Sequence, residues 1–147
     1  MKKEKSAGVV IFKTNKQVKF LLLQNTLKKT YWEFPKGKIE KNESIKQTAI
    51  REAEEETNIK KIKIIPGFKY TLKWFFKFKG ELIKKQATYL LAEVTGNQKV
   101  KINKEHDKYK WMTYQQALKE INIKSNREML KQAYRFIKEW KKQKQLF

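Results

Sequence analysis

In FKYTLKWFFKFK, residues 68–79, every even position is apolar or aromatic: Phe68, Tyr70, Leu72, Trp74, Phe76 and Phe78. The positions between them are mostly lysine. A period of two over this length predicts a long strand with one buried face. Such a strand needs a sheet around it and a second layer over it. Trp74 and Phe76 are therefore read as core. Pro66-Gly67 marks the turn before the strand, and Gly80 predicts a hairpin into KQATYLLAEV (85–94). Nearer the N-terminus, SAGVVIFK (6–13) and KFLLLQ (19–24) flank the polar TNKQ and predict a second hairpin of buried strands.

The helical segments carry their own signals. A helix is expected at about 43–57, with Asn42 as N-cap and Glu43 favouring the positive helix terminus. Asn58 would close it in the left-handed conformation. KYKWMT predicts a last strand, after which Thr113 caps a short helix. In SNREMLKQAYRFIKEW, Ser125 and Glu128 fit a capping box, and Leu130, Ala133, Tyr134 and Ile137 form an apolar stripe at helical spacing. Strands, a helix, strands and then helices predict an α/β (α+β) fold, a mixed β-sheet sandwiched between helices. A length of 147 residues suggests one domain over 1–147.

Composition narrows the partners less than the charge suggests. Lys and Arg number 36 against 15 Asp and Glu, a formal charge of +21. That excess could hold nucleic acid, steer a polyanionic small substrate, or only solvate the surface. No stretch approaches the roughly 20 apolar residues of a membrane span. There is no cysteine, so disulfide and thiol chemistry are excluded. A cytoplasmic address, with no membrane partner, is the simplest expectation.

Against this basic background, REAEEETNI (51–59) crowds four glutamates into five positions. Glu52, Glu55 and Glu56 stand at i, i+3 and i+4 and share one helix face. Like charges at that spacing cost about 0.2–0.5 kcal/mol per pair. No lysine or arginine follows four residues on, because Glu52 meets Glu56 and Glu55 meets Ile59. A divalent metal is the natural neutraliser, and Mg²⁺ is the hard ion that prefers such oxygens. Glu54 points away and is expected to be solvated.

Gly37, five residues, Glu43, seven residues and then Arg51-Glu52-Ala53 with Glu55, Glu56 and Ile59 resemble the signature of the Nudix family. Asn58 stands where glycine is usual. The resemblance implies the Nudix fold, Mg²⁺ as cofactor with Mn²⁺ substituting, and cleavage of a nucleoside diphosphate linked to another group. It makes Glu52, Glu55 and Glu56 metal ligands, with Glu52 or Glu56 also orienting or deprotonating the attacking water. Arg51 is then a structural partner of Glu43, Gly37 the loop glycine, and Lys36 a group facing the phosphates.

FLLLQ, YWEFPKGKIE, ATYLLAEV and KEHDKYKWMTYQQA further resemble the asymmetrical diadenosine tetraphosphate hydrolases. Phe34 and Tyr31 replace a proline and a histidine common among them. That resemblance implies Glu105 as a further carboxylate near the metal and Tyr89 at the phosphate and nucleoside site. His106, the single histidine, and the aromatics Trp32 and Tyr109 are candidate substrate contacts beside alternative core roles. The implied reaction splits diadenosine tetraphosphate into AMP and ATP. The alternatives are an RNA 5′-triphosphate pyrophosphohydrolase, with nucleic acid as substrate, or a nucleoside triphosphate pyrophosphatase of the same fold. A non-catalytic binding module is a third.

Overall fold

The computed structural model describes residues 1–27 and 31–145. Its eight strands are β1 (Lys2–Asn15), β2 (Gln17–Asn25), β3 (Trp32–Glu33), β4 (Lys36–Lys38), β5 (Lys63–Ile64), β6 (Tyr70–Phe78), β7 (Glu81–Glu93) and β8 (His106–Thr113). The helices are α1 (Ile45–Thr57), α2 (Tyr114–Glu120) and α3 (Lys124–Gln145). All strands join one mixed sheet, in which β1 and β7 run parallel and the other pairs are antiparallel.

The pairing of β1 explains where a site can form. It meets β2 only from Phe12 to Asn15, opposite Phe20 back to Gln17. Beyond that the two strands take different partners. Ser6–Gly8 of β1 pair with β4, while Leu23 and Gln24 of β2 pair with β3. The segment carrying Glu33, Pro35 and Lys36 thus enters the opening between them, and Val9 donates its N–H to Pro35 O at 3.0 Å.

Alternation sorts the side chains into two cores. Val10, Phe12, Phe20 and Leu22 face α2 and α3, meeting Ala117, Ile121, Met129, Leu130, Ala133 and Ile137. Val9, Ile11, Leu21 and Leu23 face the other way onto Ala49 and Ala53 of α1. Both faces are covered, which is why these two strands read as continuous apolar runs.

Local chemistry differs from expectation at several points. Ser44, not Asn42, caps α1, through a capping box with Gln47. Asn42 lies in the turn before it at φ 67°, so its own backbone is left-handed and outside the cap position. Asn58 closes the helix at φ 62°, and Thr113 caps α2 in a box with Gln116, both as expected. The Ser125–Glu128 box does not form: α3 starts at Lys124, with Arg127 N–H bonded to Ile123 O, so Ser125 is already inside the first turn. Glu128 instead pairs with Lys131 at 3.2 Å. The alternating strand β6 exists, but it pairs only with β7 and its burial is shallow. Phe76 is half-buried and belongs to neither core, Trp74 packs only against the rim of one, and Phe78 is exposed.

Candidate active site

The acidic face of α1 sits against β4. Arg51 organises the approach. Its Nε and one terminal nitrogen hold both oxygens of Glu43, at 2.7 and 2.9 Å, and the same terminal nitrogen donates to Lys38 O at 3.0 Å. The other terminal nitrogen reaches Glu52 at 2.9 Å and Glu55 at 3.2 Å. These bonds, Thr48 and the N–H of Glu40 hold the Glu43 carboxyl down at about 2, and the paired carboxylates push the Arg51 guanidinium upward. The helix face is therefore not left to a metal alone. Arg51 neutralises Glu52 and Glu55 from the N-terminal side, a pairing that a search for cations four residues onward overlooks.

Glu56 is different. It is 2% exposed, accepts the Lys36 N–H at 3.2 Å, and is pushed up to about 10. Burial is the largest cause, followed by its hydrogen bond with Glu52 and the charges of Glu52, Glu105 and Glu33. A buried acid that neighbouring acids force to keep its proton is where a cation would be most stabilising. His106 lies behind it, with Nε2 at 2.9 Å from Glu33 and Nδ1 at 3.7 Å from Glu56. Nδ1 is buried without a hydrogen-bond partner. Ligand atoms of Glu56, Glu105 and His106 lie within 4.8 Å of one another. The oxygen-rich donor set fits a hard divalent ion.

Two glycines make the geometry possible. A Cβ on Gly37 would fall onto the Glu52 carboxylate. One on Gly8 would sit 2.5 Å from Pro35 O and 2.7 Å from the Tyr89 ring. Gly37 is part of the motif, whereas Gly8 escaped the sequence reading. Its signal was a glycine inside a strand, which marks close backbone approach.

Beside the carboxylates opens a cleft of about 490 Å³, lined among others by Tyr31, Glu33, Lys36, Leu72, Trp74 and Tyr89. Burial, then Glu33 and Glu56, push the Tyr89 hydroxyl upward, so it stays a hydrogen-bond donor. Other candidate contacts are placed elsewhere. Trp32 packs against the core, Tyr109 is exposed on β8 away from the cleft lining, and the His106 side chain is enclosed at 1% exposure. Beside Tyr89, the aromatics Tyr31 and Trp74 line the cleft, Trp74 with Lys85 Nζ 5.8 Å from its ring centre. The strand period marked Trp74 as inward-facing but could not show that this stretch of the face borders open space.

The family model for the NUDIX domain matches residues 2–133. The chain belongs to the Nudix family. Along 143 residues it is 30% identical to the bis(5′-nucleosyl)-tetraphosphatase [asymmetrical] of Mus musculus, covering 90% of this chain and 95% of that one. The crystal structure of a C. elegans Ap4A hydrolase binary complex superposes with a TM-score of 0.81 at 32% identity, covering 91% and 97% of the two chains. An RNA pyrophosphohydrolase of Campylobacter jejuni is 30% identical over 101 residues, 62% of this chain and 64% of that one. The protein is thus a Nudix hydrolase, in a family that acts on nucleotide polyphosphates with a divalent metal. No described helix is long and apolar enough to cross a membrane.

Proposed function

We propose that this Nudix hydrolase is a Mg²⁺-dependent pyrophosphohydrolase of dinucleoside polyphosphates, acting first on diadenosine tetraphosphate to give AMP and ATP in the cytoplasm. The observation that carries the reading is Glu56, pushed up by burial and neighbouring acids, beside a cleft holding Lys36 and the rings of Tyr31, Trp74 and Tyr89. The names borne by the mouse and C. elegans relatives support the substrate. Glu52, Glu55, Glu56 and Glu105 would hold the ion, with Mn²⁺ as a substitute. Bound there, Mg²⁺ would neutralise phosphate charge and acidify a water.

The remaining work falls to side chains. Glu52 or Glu56 takes the proton of the attacking water. Lys36 meets the phosphate chain, Tyr89 donates its hydroxyl hydrogen to it, and Tyr31 and Trp74 flank a nucleobase. Arg51, locked to Glu43, keeps Glu52 in register. His106 holds Glu33 and Glu56 apart as a positioning residue.

The test is a substrate panel in oxygen-18 water with Mg²⁺. The dinucleotide should yield AMP and ATP, with the label in one product. Glu56→Gln should lower kcat by about 10²–10⁴, the range of a lost general base, while the fold persists. A second reading, removal of pyrophosphate from RNA 5′ ends, is favoured by the Campylobacter relative and the +21 charge. Much faster processing of 5′-triphosphorylated RNA would replace the first reading with it.

A further inference from the structure

One face of the sheet carries side chains that the hydrolytic site does not use. Directly paired residues share a face, and the registers lay out rows across three strands. Lys3 pairs with Lys84, which pairs with Phe75; Lys5 pairs with Gln86, which pairs with Lys73; Leu82 pairs with Lys77. Further along the same face, Ala7, Thr88 and Thr71 follow, the two threonine hydroxyls 3.1 Å apart. Ala7 and Thr88 are already buried, and helix α1 covers the face beyond them, over Val9, Ile11 and Ala92. The open rows contain five lysines, no Asp or Glu, and two bare apolar groups, Phe75 at 58% and Leu82 at 42% exposure.

We propose that this face binds single-stranded nucleic acid, with Phe75 stacking a base and Lys3, Lys77 and Lys84 meeting the phosphates around it. The pairing of ring and charge selects this occupant. An aromatic ring amid lysines matches a polyanion that also presents flat apolar faces. A second copy of the chain would bring lysines against lysines, and a duplex keeps its bases stacked away from Phe75. Lys73 also lines the cleft, whereas Phe75, Lys3, Lys77 and Lys84 do not, and the surface does not depend on which polyphosphate is hydrolysed.

Fluorescence anisotropy with 5′-labelled 12-mers of single-stranded RNA, which carry no triphosphate, tests the idea. Phe75→Ala should weaken binding at least about fivefold, the lower end for loss of one stacked base. The pair Lys77→Glu and Lys84→Glu should reduce the slope of log affinity against log salt by about 1.4, that of two lost phosphate contacts. Lys60→Glu with Lys61→Glu, an equal charge change beside β5 at the other end of β7, should leave affinity and slope within about twofold of the parent. Thermal melts and hydrolysis by Phe75→Ala should match the parent. The proposal is overturned if Phe75→Ala binds like the parent, if both charge pairs weaken binding equally, or if duplex of the same length binds as tightly. Self-association that disappears in Phe75→Ala would assign the face to a dimer instead.

Discussion

Glu56 sets the behaviour of the site because Arg51 reaches Glu52 and Glu55 but not it. Burial and the neighbouring acids hold its carboxyl at about 10, against an ordinary 4.5. Between those values the folded chain keeps a proton that the unfolded chain has released, so stability falls as pH rises through the window. In EDTA the melting temperature should drop by several degrees from pH 6 to pH 9, at about 2–4 °C per kcal/mol for a chain this size. Glu56→Gln should flatten that slope, and Mg²⁺ should restore the parent at pH 9 without raising the variant. Parallel slopes in both proteins would contradict the assignment. The glycine beside it makes a steric demand. Gly37→Ala pushes the Glu52 carboxylate from its place, and isothermal titration should show Mg²⁺ affinity lowered about 10–100-fold, as for lost support of a metal site.

Helix α1 works as a ruler whose ends must be fixed for its carboxylates to meet β4. Its N-terminus rests on Ser44, whose hydroxyl accepts the Gln47 N–H at 3.1 Å while the Gln47 side chain accepts the Ser44 N–H at 2.8 Å. Ser44→Ala should cost about 1 kcal/mol in urea unfolding. At Asn42 and Asn58 the backbone is left-handed. Glycine adopts that conformation without steric penalty. Asn42→Gly and Asn58→Gly should therefore be neutral or mildly stabilising, while alanine at either position should destabilise. A loss at Asn42→Ala no larger than at an exposed helix position would refute the turn geometry. Asn58 was legible because helix closure is a local event. The cap was misjudged by two residues, since Asn and Ser are both good caps and only the turn geometry chooses between them.

Across the whole molecule, +21 charges repel one another within a fold stabilised by two apolar cores. Self-repulsion of this kind destabilises the compact state, and the same field speeds capture of anionic substrates. Raising NaCl from low to moderate concentration should therefore raise the melting temperature while lowering kcat/KM for diadenosine tetraphosphate. Differential scanning fluorimetry and initial rates check the two halves separately. Much of the architecture was legible beforehand, because the apolar runs of β1 and β2, the alternation of β6 and the helical stripe of α3 are written in neighbouring residues. The acidic spacing of α1 and the ring of fixed positions around it were legible for the same reason. Three things were settled only in three dimensions. The parting of β1 from β2 admits Pro35 and Lys36, and chain reversal brings Glu33, Glu105 and His106 to Glu56. Trp74 and Tyr31 end beside open space while Trp32 turns into the core. Periodicity tells which way a side chain leaves its own backbone, but which distant strand or helix arrives opposite depends on pairing and packing across the entire chain.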